Sequence, residues 1–287
     1  PGAAGGGPEA GERGVTAPLR VISYGGGVQS TALCVLATQG KLGQIDAALF
    51  ANVGDDSEHP ASIRYVREVM QPWAAERGLP VHELQRIKRD GKTETLWEQL
   101  MRKDSRSVPI PVRMQDTGAP GTRNCTSVFK IKVITKWLKA QGVTTDNPAE
   151  VCIGFSTDEA HRASNRRPND YEVPEHPLLD LRLSRQDCKN LIARAGLPVP
   201  PKSSCFFCPF HRPAMWERMR RDEPELFERS VELEETLNAR RRTLGRDEVY
   251  LTRFGKPLKD VIEARPPDLP GLDAPDADSC DEGYCWT

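Results

Sequence analysis

The sequence predicts an α/β fold, an open and mainly parallel sheet with helices on both faces, followed by a C-terminal helical and cysteine-bearing region. Short apolar runs of strand length alternate with segments of helical period, as parallel strands joined by crossover helices require. Glycines sit where the first strand run passes straight into a helical one. From residue 213 to residue 244 the pattern is almost entirely helical.

Taken in order, residues 1–18 are rich in Gly, Ala and Glu without periodicity, which predicts a disordered leader. Leu19-Arg20-Val21-Ile22 reads as a strand, and Ala32-Leu33-Cys34-Val35-Leu36-Ala37 as the first turns of a helix ending near Gly40. A second strand, 45–53, ends in the polar string Gly54-Asp55-Asp56-Ser57-Glu58-His59; ligands of open α/β sheets bind at such carboxyl ends. Residues 60–77 predict a helix with Ile63, Val66, Val69 and Met70 on one face, broken or kinked at Pro72 and stopped at Gly78. A third strand is expected at 80–84, a helix at 93–103, and a long Pro/Gly-bearing connection at 105–124. A helix over 128–140, a strand over 151–155 and a helix over 184–195 follow, with Ser184 and Asp187 suited to the last one's first turn.

The run Ser23-Tyr24-Gly25-Gly26-Gly27-Val28-Gln29-Ser30-Thr31 sits at the first strand-to-helix junction. Glycines let backbone N–H groups approach an anion, and the helix N-terminus adds unpaired donors and a positive dipole end. No Lys follows the last glycine, as a Walker loop needs, and the spacing is not that of a dinucleotide fold. An ordinary tight turn is the competing reading of the same glycines.

Formal charge is -1, from 40 basic and 41 acidic residues, so overall electrostatics do not announce a nucleic-acid binder. No apolar run approaches a membrane span and no secretory pattern opens the chain, so cytoplasmic residence without a membrane partner is expected. Eight cysteines in that compartment favour metal or redox chemistry over a disulfide scaffold. Cys34, Cys152 and Cys188 lie in apolar periodic segments and are expected in the core. Cys125, Cys205, Cys208, Cys280 and Cys285 lie in loops or at element ends.

Ser203-Ser204-Cys205-Phe206-Phe207-Cys208-Pro209-Phe210-His211 holds two thiols at the spacing that lets both face one metal. Zinc would take Cys205, Cys208, His211 and one distant Cys. An iron–sulfur centre would take Cys125, Cys205 and Cys208. A redox-active dithiol is the third reading.

The stretch Gly25-Gly26-Gly27-Val28-Gln29-Ser30 resembles the pyrophosphate loop of the PP-loop ATP pyrophosphatase superfamily, with Gly25 and Gln29 standing where that loop usually has Ser and Asp. Its Gly-Gly-Gly-Val-Gln-Ser-Thr form is similar to a branch near phosphoadenylyl-sulfate reductases and sulfur-installing enzymes of nucleic acid. Arg123-Asn124-Cys125-Thr126 with Phe129-Lys130-Ile131 resembles an element of the DNA phosphorothioation sulfur enzymes, as does Ile153-Gly154-Phe155-Ser156-Thr157-Asp158-Glu159-Ala160-His161-Arg162. The resemblance covers residues 20–233.

It implies an adenine nucleotide alpha hydrolase-like fold, with a nucleotide-binding domain at 19–200 and a metal-cluster and helical region at 201–287 packed on it. Tyr24, Gly25, Gly26, Gly27, Gln29, Ser30, Thr31, Asp55, Asp158 and Glu159 are then expected to bind ATP with Mg²⁺. Ser30 and Arg162 are expected to be catalytic. Cys125, Cys205 and Cys208 are expected to hold a 4Fe-4S cluster, zinc being the alternative, with the fourth position open or taken by Cys280 or Cys285. Those tail cysteines are equally readable as a sulfur relay or a plain pair on a loose end. The implied activity is an ATP-dependent sulfurtransferase that adenylates an acceptor, nucleic acid among the candidates, and takes sulfur from a donor. The alternatives are a phosphoadenylyl-sulfate or adenylyl-sulfate reductase, against which the absence of a Glu-Cys-Gly-x-His tail counts, and a non-catalytic nucleotide-binding subunit of a modification complex.

Overall fold

The computed structural model describes residues 18–163 and 167–263. The expected leader up to residue 17 and both tail cysteines, Cys280 and Cys285, lie outside the described residues. The strands are β1 (Arg20–Ser23), β2 (Ala47–Asn52), β3 (Val81–Gln85), β4 (Arg113–Met114), β5 (Ala149–Cys152), β6 (Glu172–Glu175) and β7 (Val249–Tyr250). The α-helices are α1 (Val28–Thr38), α2 (Pro60–Arg64), α3 (Gln71–Ala75), α4 (Leu96–Met101), α5 (Asn124–Thr126), α6 (Lys132–Ala140), α7 (Pro177–Asp180), α8 (Arg185–Arg194), α9 (Pro213–Asp222), α10 (Pro224–Thr243) and α11 (Leu258–Glu263). Among the described residues no helix is long and apolar enough to cross a membrane.

Five strands form one parallel sheet in the order β3-β2-β1-β5-β6, the predicted α/β architecture. Side chains of successive strand residues point to opposite faces, so the two layers follow from sequence parity. Ile22, Ala48 and Phe50 pack under α1 and α8 with Leu33, Leu36, Cys188 and Ile192. Val21, Leu49 and Val151 pack on the other face against Val133, Ile134 and Leu138 of α6. With both faces covered, every residue of β2 is buried. Cys34, Cys152 and Cys188 are core residues, as their apolar settings predicted. Burial pushes the Cys152 and Cys188 thiols up to about 12, which keeps them protonated and inert.

A second core joins the C-terminal helices to the chain between β3 and α6. Phe206, Phe207, Trp216, Phe227 and Leu237 bury themselves with Leu96, Leu100, Ile110, Val112 and Phe129. Within it Glu234 of α10 accepts the backbone N–H groups of Leu251 and Leu258, at 2.6 and 2.7 Å. Removing this acceptor would orphan two buried donors, so Glu234→Ala is expected to cost roughly 2–4 kcal/mol in urea unfolding. Burial pushes the Glu234 carboxyl up to about 7. The folded state then holds this proton more tightly than the unfolded one, so the carboxyl's contribution to stability is greatest below its unfolded value and declines as pH rises from about 4.5 towards 7. Glu234→Gln should abolish that decline; a pH–stability profile identical to the parent's would refute the assignment.

Several elements depart from expectation, the short strands β4 and β7 among them. The predicted helix at 60–77 continues through Pro72 because π-helical Tyr65–Met70 precedes it and the proline sits in the first turn of α3. The helix expected at 128–140 begins earlier, as α5 followed by π-helical Ser127–Ile131. The sequence reading has no counterpart of β6, whose Glu-Val-Pro-Glu composition carries no strand pattern; Pro174 is tolerated because β6 is an edge strand. By contrast Ser184 caps α8 reciprocally with Asp187, the capping box read from the sequence.

Candidate functional site

From β1 the chain adds β2 and β3 on one side of the sheet and then crosses back to add β5 and β6 on the other, so a crevice opens at the carboxyl ends of β1 and β5, where open α/β sheets bind ligands. The glycine loop fills that position. Gly26 has φ +76, and a Cβ there would meet Val66 at 3.3 Å and Phe50 at 3.5 Å. Gly27 begins α1 without a capping side chain, and no acidic residue occupies the first turn. The first intrahelical bond runs from Thr31 N–H to the Gly27 carbonyl, 3.0 Å, which leaves the preceding N–H groups without helical partners. Gly154, beyond β5, lies against this turn, and a Cβ on it would stand 2.9 Å from the Ser30 nitrogen. Glycine is needed there for the close approach of β5 and α1.

Ser30 closes the loop. Its hydroxyl accepts from Gly25 N–H and donates to the Gly27 carbonyl, both at 3.2 Å. Tyr24 and Thr31 lie below the loop in the core, their oxygens 3.5 Å apart. The Gln29 amide donates to Glu159, 2.9 Å, and accepts from Arg185, 2.9 Å. Glu159 also pairs with Arg162, whose guanidinium is buried and lies 4.8 Å over Phe155. Asp158 accepts the backbone N–H of Arg185 at 2.5 Å. Arg162, Glu159, Gln29 and Arg185 thus form one chain of polar contacts beside the first turn of α1.

Asp55 stands apart from the loop, in a network at the ends of β2 and β3. Arg67 grips it through both terminal nitrogens, at 2.7 and 2.8 Å, and also Glu83. Asn52 donates to both carboxylates at 2.7 Å. The Arg67 hydrogen bonds hold the Asp55 carboxyl below its ordinary range, so it is ionised and paired.

The thiol segment is tied to the loop. Ser203 donates to the Gly25 carbonyl. The next residues pair with the turn after β2: His59 N–H to the Ser204 carbonyl, 3.0 Å, and Phe206 N–H to the Ser57 carbonyl, 3.2 Å. Cys205 and Cys208 share one turn, with Cys208 N–H 3.2 Å from the Cys205 carbonyl. Burial pushes the Cys205 thiol up; Glu58, Cys208 and Cys125 push the same way, while Lys130 opposes. The Cys125 thiol is likewise raised by burial and lowered by Arg123 and Lys130. Cys125, Cys205 and Cys208 are therefore electrostatic neighbours, and Cys125 and Cys205 pack in an apolar setting with Phe129, Phe206 and Phe207. Glu58 is buried beside them, 3.7 Å from Lys130.

Thiol donors in apolar surroundings suit iron–sulfur ligation by donor type. Even so, among the described residues no three His, Cys, Asp or Glu side chains are arranged to hold a metal ion. The zinc reading fails on the same ground, since His211 joins no such group with Cys205 and Cys208; its Nε2 shares a hydrogen bond of 3.0 Å with Ser204 Oγ and its ring lies 4.8 Å from Trp216. The carboxylates nearest the loop, Asp158 and Glu159, are committed to Arg185, Gln29 and Arg162, a poor donor set for magnesium. Sequence reasoning missed Ser203, Glu58 and Arg185. Only the adjacency of Ser203 to Cys205, and of Arg185 to the capping Ser184, pointed towards them.

No protein-family model matches the chain, and no curated protein matches it. Among solved structures it is similar to a phosphoadenylyl-sulfate (PAPS) reductase from Candida auris in a phosphate complex, with 16% identity, a TM-score of 0.42, and coverage of 65% of this chain and 77% of that one.

Proposed function

We propose that the protein is a PP-loop type ATP pyrophosphatase that adenylates an acceptor and passes sulfur to it, with the thiol group as the sulfur side of the site. The observation that carries this reading is the Ser203 hydrogen bond to the Gly25 carbonyl, which joins an uncapped, anion-ready helix N-terminus to the segment bearing Cys205 and Cys208. The N–H groups of the first turn of α1 stabilise charge on the departing pyrophosphate, an oxyanion-hole type of contribution. An acceptor oxygen bonds to the α-phosphorus as the bond to the pyrophosphate oxygen breaks; a sulfur nucleophile then bonds to the acceptor atom as AMP leaves. Ser30 holds the loop in the receiving shape, and Gln29, fixed by Glu159 and Arg185, keeps the turn from shifting.

By donor type Cys125, Cys205 and Cys208 are the thiols that would ligate a four-iron cluster, which when bound would supply a thiophilic iron, although among the described residues they are not arranged as a metal site. Glu58 and Lys130 set the local charge beside these thiols.

The test is pyrophosphate release from ATP with candidate acceptors. Ser30→Ala removes both contacts that close the loop, so release should fall about tenfold or more while the fold persists. Nucleotide binding without release on any acceptor would replace the proposal with a non-catalytic subunit. Sulfite formed from adenylyl sulfate would replace it with a reductase. A colourless, iron-free protein after anaerobic purification would remove the cluster.

A further inference from the structure

A cavity of about 510 Å³ lies beside the loop and is not used by the chemistry above. Arg185, Lys189, Lys202 and Arg218 line it. Its one carboxylate, Glu223, is bonded to His59 at 2.8 Å, so the cationic excess is not cancelled from within. Lys202 presents its ammonium to the Met215 sulfur at 3.0 Å, a weak acceptor for so strong a donor. His211 adds a buried imidazole that burial, with Lys202 and His59 nearby, keeps neutral; its Nδ1 has no hydrogen-bond partner. Ser204 and His211 put a hydroxyl and a ring nitrogen on the same wall. Val28, the first residue of α1, is also on that wall, so the cavity adjoins the anion-ready turn.

The segment between α8 and Cys205 separates the two spaces. Ser203 turns to the Gly25 carbonyl, whereas Lys202 and Ser204 face the cavity. The volume is that of a small-molecule site, and the polar lining is cationic with neutral hydrogen-bonding groups. We propose that this cavity is a second anion site that binds a phosphate ester, held by Lys189, Lys202 and Arg185, next to but separate from the nucleotide on the glycine loop. Naming that ester as the acceptor rests on the proposed function; the binding itself does not. It also reconciles a chain of net charge -1 with an anionic ligand, because the cations are concentrated in one cavity.

The experiment is calorimetric titration of the full chain, first with a non-hydrolysable ATP analogue and then, with the analogue saturating, with uridine 5′-monophosphate, uridine and a 5′-phosphorylated oligonucleotide. Phosphate-bearing probes should bind and uridine should not. The double variant Lys189→Met, Lys202→Met should weaken them about tenfold or more while affinity for the ATP analogue stays within about twofold. Tighter binding of the monophosphate assigns a free small molecule, and tighter binding of the oligonucleotide a strand end; either upholds the phosphate-ester site. Competition between the monophosphate and the ATP analogue, equal binding of uridine, or indifference to the double variant would overturn it. Failure of the ATP analogue to bind the parent protein would sink the proposed function and leave the cavity test intact.

Discussion

Gly54→Ala should unfold more easily than the parent by about 3–5 kcal/mol, the largest single-residue effect expected outside the two cores. Gly54 has φ +129, a conformation that L side chains rarely adopt, and its Cβ would stand 2.5 Å from both Asp56 Oδ1 and Thr95 Cβ. The Thr95 side chain cannot simply swing aside. It caps α4 reciprocally with Glu98 and donates to Asp56 at 2.9 Å, so movement would also forfeit a helix cap worth about 1 kcal/mol. Damage would spread to the thiol segment, because the Gly54 carbonyl accepts from Ser57 and Glu58, the residues that pair with Phe206 and Cys205. Urea unfolding measures the loss directly. A shift below about 1 kcal/mol would mean that the turn relaxes without strain.

Gly154→Ala should lower nucleotide affinity by about tenfold to a hundredfold with a smaller loss of stability. The added Cβ would lie 2.9 Å from the Ser30 nitrogen and 3.0 Å from the Gln29 carbonyl carbon, both backbone atoms of the first turn of α1. Either that turn or the end of β5 must move, and the N–H groups aimed at the anion move with it. Binding of an ATP analogue, compared with urea stability of the same variant, separates the two effects. Undiminished affinity would show that the anion does not use this turn, and would count against the proposed function as well.

Much of the frame was legible because its signals are local. The β1-to-α1 glycine run, the Ser184 and Asp187 capping box, and the burial of Cys34, Cys152 and Cys188 each follow from residues within a few positions of one another. Strand β6 was not legible, since its proline and two acids carry no period and only pairing with β5 makes it a strand. The π-helical turns were equally hidden, because helical periodicity does not distinguish a single wide turn.

The site divides the same way. Its residue types at the loop and in the Cys-x-x-Cys segment can be read along the chain. Their partners cannot. Gln29 is fixed by Glu159 and Arg185, 130 and 156 positions away, and Ser203 reaches Gly25 across 178. Arg162 is expected to be catalytic, yet folding buries it against Phe155 and Glu159. The basic cavity gathers Arg185 and Lys189 of α8, Lys202 of the following segment and Arg218 of α9, of which only Arg218 belongs to a basic cluster along the chain, with Arg220 and Arg221. Sequence alone thus determined the architecture and the anion-ready turn, because periodicity, capping and glycine conformational freedom act between near neighbours. Only the tertiary structure decided which polar groups are already paired and which still face open space, because hydrogen bonding and charge compensation depend on proximity in space.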